Sequence, residues 1–101
     1  MAVKLSRHAL ARQAMLISAR IERARADLNS GDEQVRAEAV RQLCPCRTHD
    51  DRTLDLYVVP MRHDPSAAVR RAVNRVLDEE LEHQMIREAR AAAASARERQ
   101  L

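Results

Sequence analysis

Two stretches 34 residues apart carry the same pattern, and this constrains the fold more than any other feature of the chain. Ser30-Gly31-Asp32-Glu33-Gln34-Val35-Arg36 aligns with Asp64-Pro65-Ser66-Ala67-Ala68-Val69-Arg70. In the same register Ala39 meets Val73, Arg41 meets Arg75 and Leu43 meets Leu77. Self-similarity at this period marks one supersecondary unit used more than once. A single helical hairpin leaves an apolar face uncovered, so such units stack and share a core.

The residues between and around the two stretches read as helix. Ala, Leu, Arg, Glu and Gln dominate, and they lose little side-chain freedom in a helix. One Gly, one Tyr and no Phe or Trp leave too little material for a sheet. At 101 residues the chain has room for one domain, 1–101, with a modest core. The fold class expected is all-α.

Four segments follow from apolar spacing. The first runs from about Ser6 to Leu28, where Leu10, Ala14, Ile17, Ile21, Ala24 and Leu28 alternate spacings of four and three. The second starts in a capping box, with Ser30 accepting from the Glu33 N–H and Glu33 reaching back, and buries Val35, Ala39, Val40 and Leu43. Pro45 stops it near Cys44. A loop over 44–50 leads to a short helix, about Asp51 to Arg62, capped by Thr48 or Asp50. It presents Leu54, Tyr57, Val58 and Met61, and Pro60 kinks or shortens its last turn. The fourth opens on Asp64 as N-cap and Pro65 at the first helical position, and buries Val69, Val73, Val76, Leu77 and Leu81. Its pattern continues through Met85 and Ala89, with fraying expected over 94–101. Helix–turn–helix therefore occurs twice, over about 6–44 and 50–88, with long flanking N- and C-terminal helices.

The run Asp64-Pro65-Ser66-Ala67-Ala68-Val69-Arg70-Arg71-Ala72-Val73 resembles the second-helix signature of HEAT-like repeats, in their short, phycobilisome-lyase-type form. Asp32 to Val40 resembles it less completely. The resemblance covers about 60 of the 101 residues. It implies an α-solenoid fragment, a polar ladder of Asp64, Arg70 and Arg36 tying neighbouring repeats, and concave-face second helices. Ser30 stands where the first unit would carry the ladder Asp, so Asp32 is the residue left to substitute. The resemblance bears on the fold and is nearly silent about function. Two repeats are fewer than the three or so normally needed, so the long end helices or self-association must cover the open ends.

Charge is mixed. Eighteen basic and fifteen acidic residues give a net charge of +3, with both signs spread along the chain as on solvated helix faces. Arg41 and Arg75 are repeat-equivalent and project as a row flanked by Arg71; with Glu38 and Asp78 close by they read first as ion-paired solvated faces, and next as a surface suited to an acidic protein partner. Nucleic acid is disfavoured, since no aromatic platform is present to stack bases. No run of about 20 apolar residues occurs, so no membrane span is expected. The basic first 21 residues, with Lys4, Arg7, Arg12 and Arg20 and no acid, would suit a transit peptide. They read better as a structural helix, because the apolar pattern continues unbroken.

The most unusual segment is Cys44-Pro45-Cys46-Arg47-Thr48-His49. With no secretory signal the thiols are expected to be reduced, in a cytoplasm. The favoured reading makes Cys44 a small buried hydrophobe and Pro45 a helix terminator. The alternatives are metal ligation by Cys44, Cys46 and His49, with Asp50 and His63 nearby, or a redox or haem-type contact. The C-x-C spacing lacks the second ligand pair of a structural zinc site. No phosphate loop can form with one Gly, and the four histidines are dispersed. The chain therefore reads as a non-enzymatic, cofactor-free interaction module that binds a partner protein or its own copy. A metal- or redox-responsive protein is the first alternative, and a nucleic-acid binder the second.

Overall fold

A computed structural model describes residues 6–100. The described chain is helical without strands: α1 (Arg7–Asp27), α2 (Glu33–Gln42), α3 (Pro45–Thr48), a π-helical turn (Leu54–Val58), a 3-10 turn (Val59–His63) and α4 (Ala67–Arg99). Lys4 of the basic N-terminal run lies outside the described residues.

The core lies where α1, α2 and the first part of α4 meet. Ala24, Ala37, Ala39, Val40, Leu43, Cys44, Val58, Val69, Ala72, Val73 and Val76 are buried, with Ile21, Leu28, Leu54, Tyr57, Met61 and Leu77 packed around them. Small residues dominate this set, so helices approach closely while little apolar area is hidden per residue. α2 touches both α1 and α4 and is the central element. Burial therefore concentrates on it. Ala37 and Val40 are buried, whereas their counterparts 34 residues on, Arg71 and Asn74, are exposed. No third helix covers α4 on that side among the described residues, and polar side chains occupy the positions.

The two stretches share their local hydrogen bonding. α2 is capped by Asp32, which accepts from the Gln34 N–H at 2.8 Å. α4 has Ser66 at its N-cap, 34 residues later. One Nη of Arg36 donates to the Ser30 carbonyl at 2.8 Å, and one Nη of Arg70 to the Asp64 carbonyl at 2.7 Å. Ser30 Oγ accepts from the Asp32 N–H, and Asp64 Oδ1 from the Ser66 N–H.

Several expectations are corrected. Both helices begin later than the cap signals suggest. Ser30 and Asp64 each close a two-residue side-chain turn before the helix rather than capping it, and Glu33 accepts from the Ser66 hydroxyl at 2.8 Å instead of closing a capping box. Val35 is exposed at 36% and Ala37 is buried in its place. Pro45 ends α2 but also starts α3, because its fixed φ suits a first helical position. The segment expected as an α-helix over 51–62 is a π-helical turn followed by a 3-10 turn. Pro60 supplies no N–H for an α-helical bond, and the chain passes through it with other hydrogen-bond spacings. Leu54, Tyr57, Val58 and Met61 still face the core. Leu81 is 56% exposed, while Glu80 beside it is buried at 6%.

α4 continues through Arg99, including the stretch expected to fray, and no described residue beyond Glu80 is buried. At about 1.5 Å per residue the 33-residue helix is about 50 Å long, which accounts for most of the 58 Å long dimension. The radius of gyration of 17.3 Å exceeds the roughly 13 Å of a compact chain this size. Leu10, Met15 and Leu16 on α1 are also more than half exposed, so its apolar stripe is covered only toward its C-terminal end. No described helix is long and apolar enough to cross a membrane.

Candidate functional site

The arginines singled out by the repeat converge. Arg41 from α2 and Arg71 and Arg75 from α4 line one shallow cleft of about 310 Å³ with Gln34, Ala37 and Ala68. The repeat register explains the convergence: Arg41 and Arg75 occupy equivalent turns of neighbouring helices, and Arg71 lies one turn before Arg75. An adjoining cleft is lined by Arg41, Arg47, Arg75, Val76 and Glu79, which brings in Arg47 from α3. Arg41 is paired with Glu38 at 2.8 Å. Among the described residues Arg47, Arg71 and Arg75 have no carboxylate within 4.0 Å. Glu38 also accepts from Gln42, and these two hydrogen bonds hold its carboxyl below the usual range.

Larger clefts flank α1, one against α2 and one against the Leu56–Met61 segment, but carboxylates line both: Asp27 and Glu38 in the first, Glu22 in the second. They favour neither sign of ligand. The Arg41–Arg71–Arg75 cleft has three guanidinium groups and no carboxylate in its lining. Each guanidinium presents a fork of N–H donors that fits an oxyanion.

Of the three ladder residues, two pair directly. Asp64 binds Arg36 across the α2–α4 junction, Nε to Oδ2 at 3.0 Å and Nη2 to Oδ1 at 3.1 Å. Arg70 reaches only the Asp64 backbone carbonyl. The hydrogen bond from Arg36 holds the Asp64 carboxyl below its usual range, and the same bond raises the guanidinium. Asp32 is occupied as the α2 cap and does not take the missing ladder role.

The Cys loop is compact. Cys44 is buried and Cys46 exposed, both as free thiols, with the two Sγ atoms 2.8 Å apart. Thr48 and Thr53 lock the loop: their hydroxyls are 3.0 Å apart, and Thr53 donates to the Leu43 carbonyl at 2.9 Å. His49 ends α3 at φ 56°, the left-handed conformation that closes a helix. Burial first, then the contact with Cys46, pushes the Cys44 thiol up to about 12, so it remains protonated and a poor nucleophile.

Cys44 and Cys46 lie side by side in the loop, and a third group approaches them from α4. Glu79 of α4 offers a carboxylate oxygen within 4.8 Å of both sulfurs. His49 is not in that cluster. It lines an adjoining cavity with Cys46, Glu80 and His83, and neither Asp50 nor His63 belongs to the cluster or the cavity lining. Asp50 instead pairs with Arg52 at 3.1 Å. Glu79 and His83 are four residues apart on α4 and share a face, the one signal that could have marked them. Glu80 is paired with Arg87 at 3.2 Å two turns on. No protein family, curated protein or solved structure matches the chain.

Proposed function

We propose that the chain is a small HEAT-like interaction module that takes an acidic segment of a partner protein in the cleft of Arg41, Arg71 and Arg75. The observation that carries this reading is the lining itself, with three guanidinium groups, no carboxylate and two of the three arginines free of any ion pair among the described residues. Guanidinium forks on adjacent helices can grip successive carboxylates of an extended chain. The cleft is shallow, which suits a peptide better than an enclosed small substrate. Binding rather than catalysis is the role proposed.

The repeat reading rests on the matched N-cap positions Asp32 and Ser66 and on the matched Arg36 and Arg70 bonds to backbone carbonyls. In that reading Arg71 and Asn74 form the polar outer face that closes a two-unit stack, as terminal units of longer arrays do.

The test is binding of a short fluorescent poly-glutamate peptide at low ionic strength, to wild type and to Arg71→Ala/Arg75→Ala. Saturable, salt-sensitive binding lost in the double variant is the expected result. Equal binding to both proteins, or none to wild type, removes the proposal.

A second reading, self-association, is favoured by the uncovered apolar residues Leu81, Met85 and Ile86 on the projecting part of α4. Sedimentation over a range of concentrations distinguishes it, a monomer throughout being the result against it.

A further inference from the structure

We infer that Cys44, Cys46 and Glu79 form a binding site for a thiophilic d¹⁰ divalent cation of the Zn²⁺ class, bridging the loop after α2 to the middle of α4. Three potential ligand atoms from two parts of the chain, two thiol sulfurs and a carboxylate oxygen, lie within 4.8 Å of one another. These are zinc-type donors, at target distances of about 2.3 Å for sulfur and about 2.0–2.2 Å for oxygen.

Packing explains only one of the three. Cys44 is 1% exposed and fills the core as a small apolar side chain would. Cys46 is exposed, so its presence 2.8 Å from Cys44 hides no apolar surface. Glu79 is exposed as well and has no cationic side chain within 4.0 Å among the described residues. When a divalent cation binds, the two thiols lose their protons to solvent, and two thiolates and a carboxylate hold the ion with one net negative charge. Arg41, Arg47 and Arg75 share a cleft with Glu79 and can offset that charge.

The local fold allows the small adjustment that ligation needs. A tetrahedral ion holds two sulfurs about 3.8 Å apart, so the thiols must separate by about 1 Å from 2.8 Å. Cys46 is the exposed partner and can supply that movement by side-chain rotation. Pro45 at the start of α3 and the Thr48–Thr53 hydroxyl pair hold the backbone around it. Cys46 also lines the cavity of about 360 Å³ that contains His49 and His83, so an imidazole or a water is at hand for the fourth position. The site adjoins the peptide cleft through Arg41 and Arg75, and its test reads the metal alone.

The experiment titrates Co²⁺, a spectroscopic stand-in for Zn²⁺, into the full chain after reduction and chelator treatment. A sulfur-to-cobalt charge-transfer band that saturates at one ion per chain and is bleached by Zn²⁺ is expected. Removing even a residue that only supports a metal ligand costs about 10–100-fold in affinity. Cys46→Ser and Glu79→Gln should therefore each weaken binding by at least that much. Both positions are exposed, and an unchanged circular dichroism spectrum verifies that the variants fold. No band at equimolar Co²⁺, or undiminished affinity in Glu79→Gln, overturns the site. Loss in Cys46→Ser alone also overturns it, because the carboxylate would then not be a ligand.

Discussion

Arg36 grips both carboxylate oxygens of Asp64, at 3.0 and 3.1 Å, across 28 residues of chain. The two side chains are only 16% and 8% exposed, so solvent screens the contact less than it screens a surface pair. Each partner is tied further, Arg36 to the Ser30 carbonyl and Asp64 to the Ser66 N–H. The pair thus fixes how the start of α4 sits against α2.

Asp64→Ala should destabilise the fold by about 1–3 kcal/mol, the usual cost of losing a hydrogen-bonded charged partner. Asp50→Ala removes a pair whose arginine is 83% exposed and should change stability far less. Urea unfolding of the two variants beside wild type measures the contrast, and equal midpoints would contradict it.

The same pair gives a pH dependence. Asp64 is held below its ordinary value of 3.8 by Arg36. Its contribution is therefore complete above the unfolded value and is lost as pH falls through the lower folded value. Asp64→Asn should be less stable than wild type at pH 7, and the difference should narrow below about pH 4. Chemical unfolding at a series of pH values reads this directly.

Leu43 is fully buried and Leu81 is 56% exposed, although both belong to apolar stripes in the sequence. Leu43→Ala should cost about 2–5 kcal/mol, including the cavity it leaves. Leu81→Ala should fall within about 0.5 kcal/mol of wild type. A comparable loss at Leu81 would show that something covers the projecting part of α4 in solution.

No residue of α4 beyond Glu80 is buried, so its outer turns should unfold independently of the core. Ala92→Pro interrupts that stretch at a local cost of about 3 kcal/mol. It should lower the helical circular dichroism signal while leaving the urea midpoint of the core unchanged. A shift in the midpoint would mean that the outer helix is coupled to the rest.

Element type was legible because apolar spacing and helix formers act locally. The apolar spacing places α1 to within a residue of Arg7–Asp27, and the Ser6 side chain caps it through the Ala9 N–H. Around Pro60 the spacing points to an α-helix where the chain forms a π-helical and a 3-10 turn, because spacing reports which side chains face the core and not which carbonyl each N–H finds. The cap positions differ from the sequence signals for a related reason. Ser30 and Asp64 do bind nearby backbone N–H groups, but in a turn two residues before the helix.

By itself the sequence determined an all-helical chain, two matched stretches and a repeat-equivalent pair of arginines flanked by a third, because periodicity and propensity depend on near neighbours along the chain. Only the tertiary structure decided that α2 lies between α1 and α4, that Arg36 pairs with Asp64 and that Glu79 meets the two thiols. Those contacts join residues 28 to 35 positions apart, and nothing in a local pattern specifies which of several exposed carboxylates arrives there. Packing decides it, through the buried faces of Val40, Leu43, Val73 and Val76.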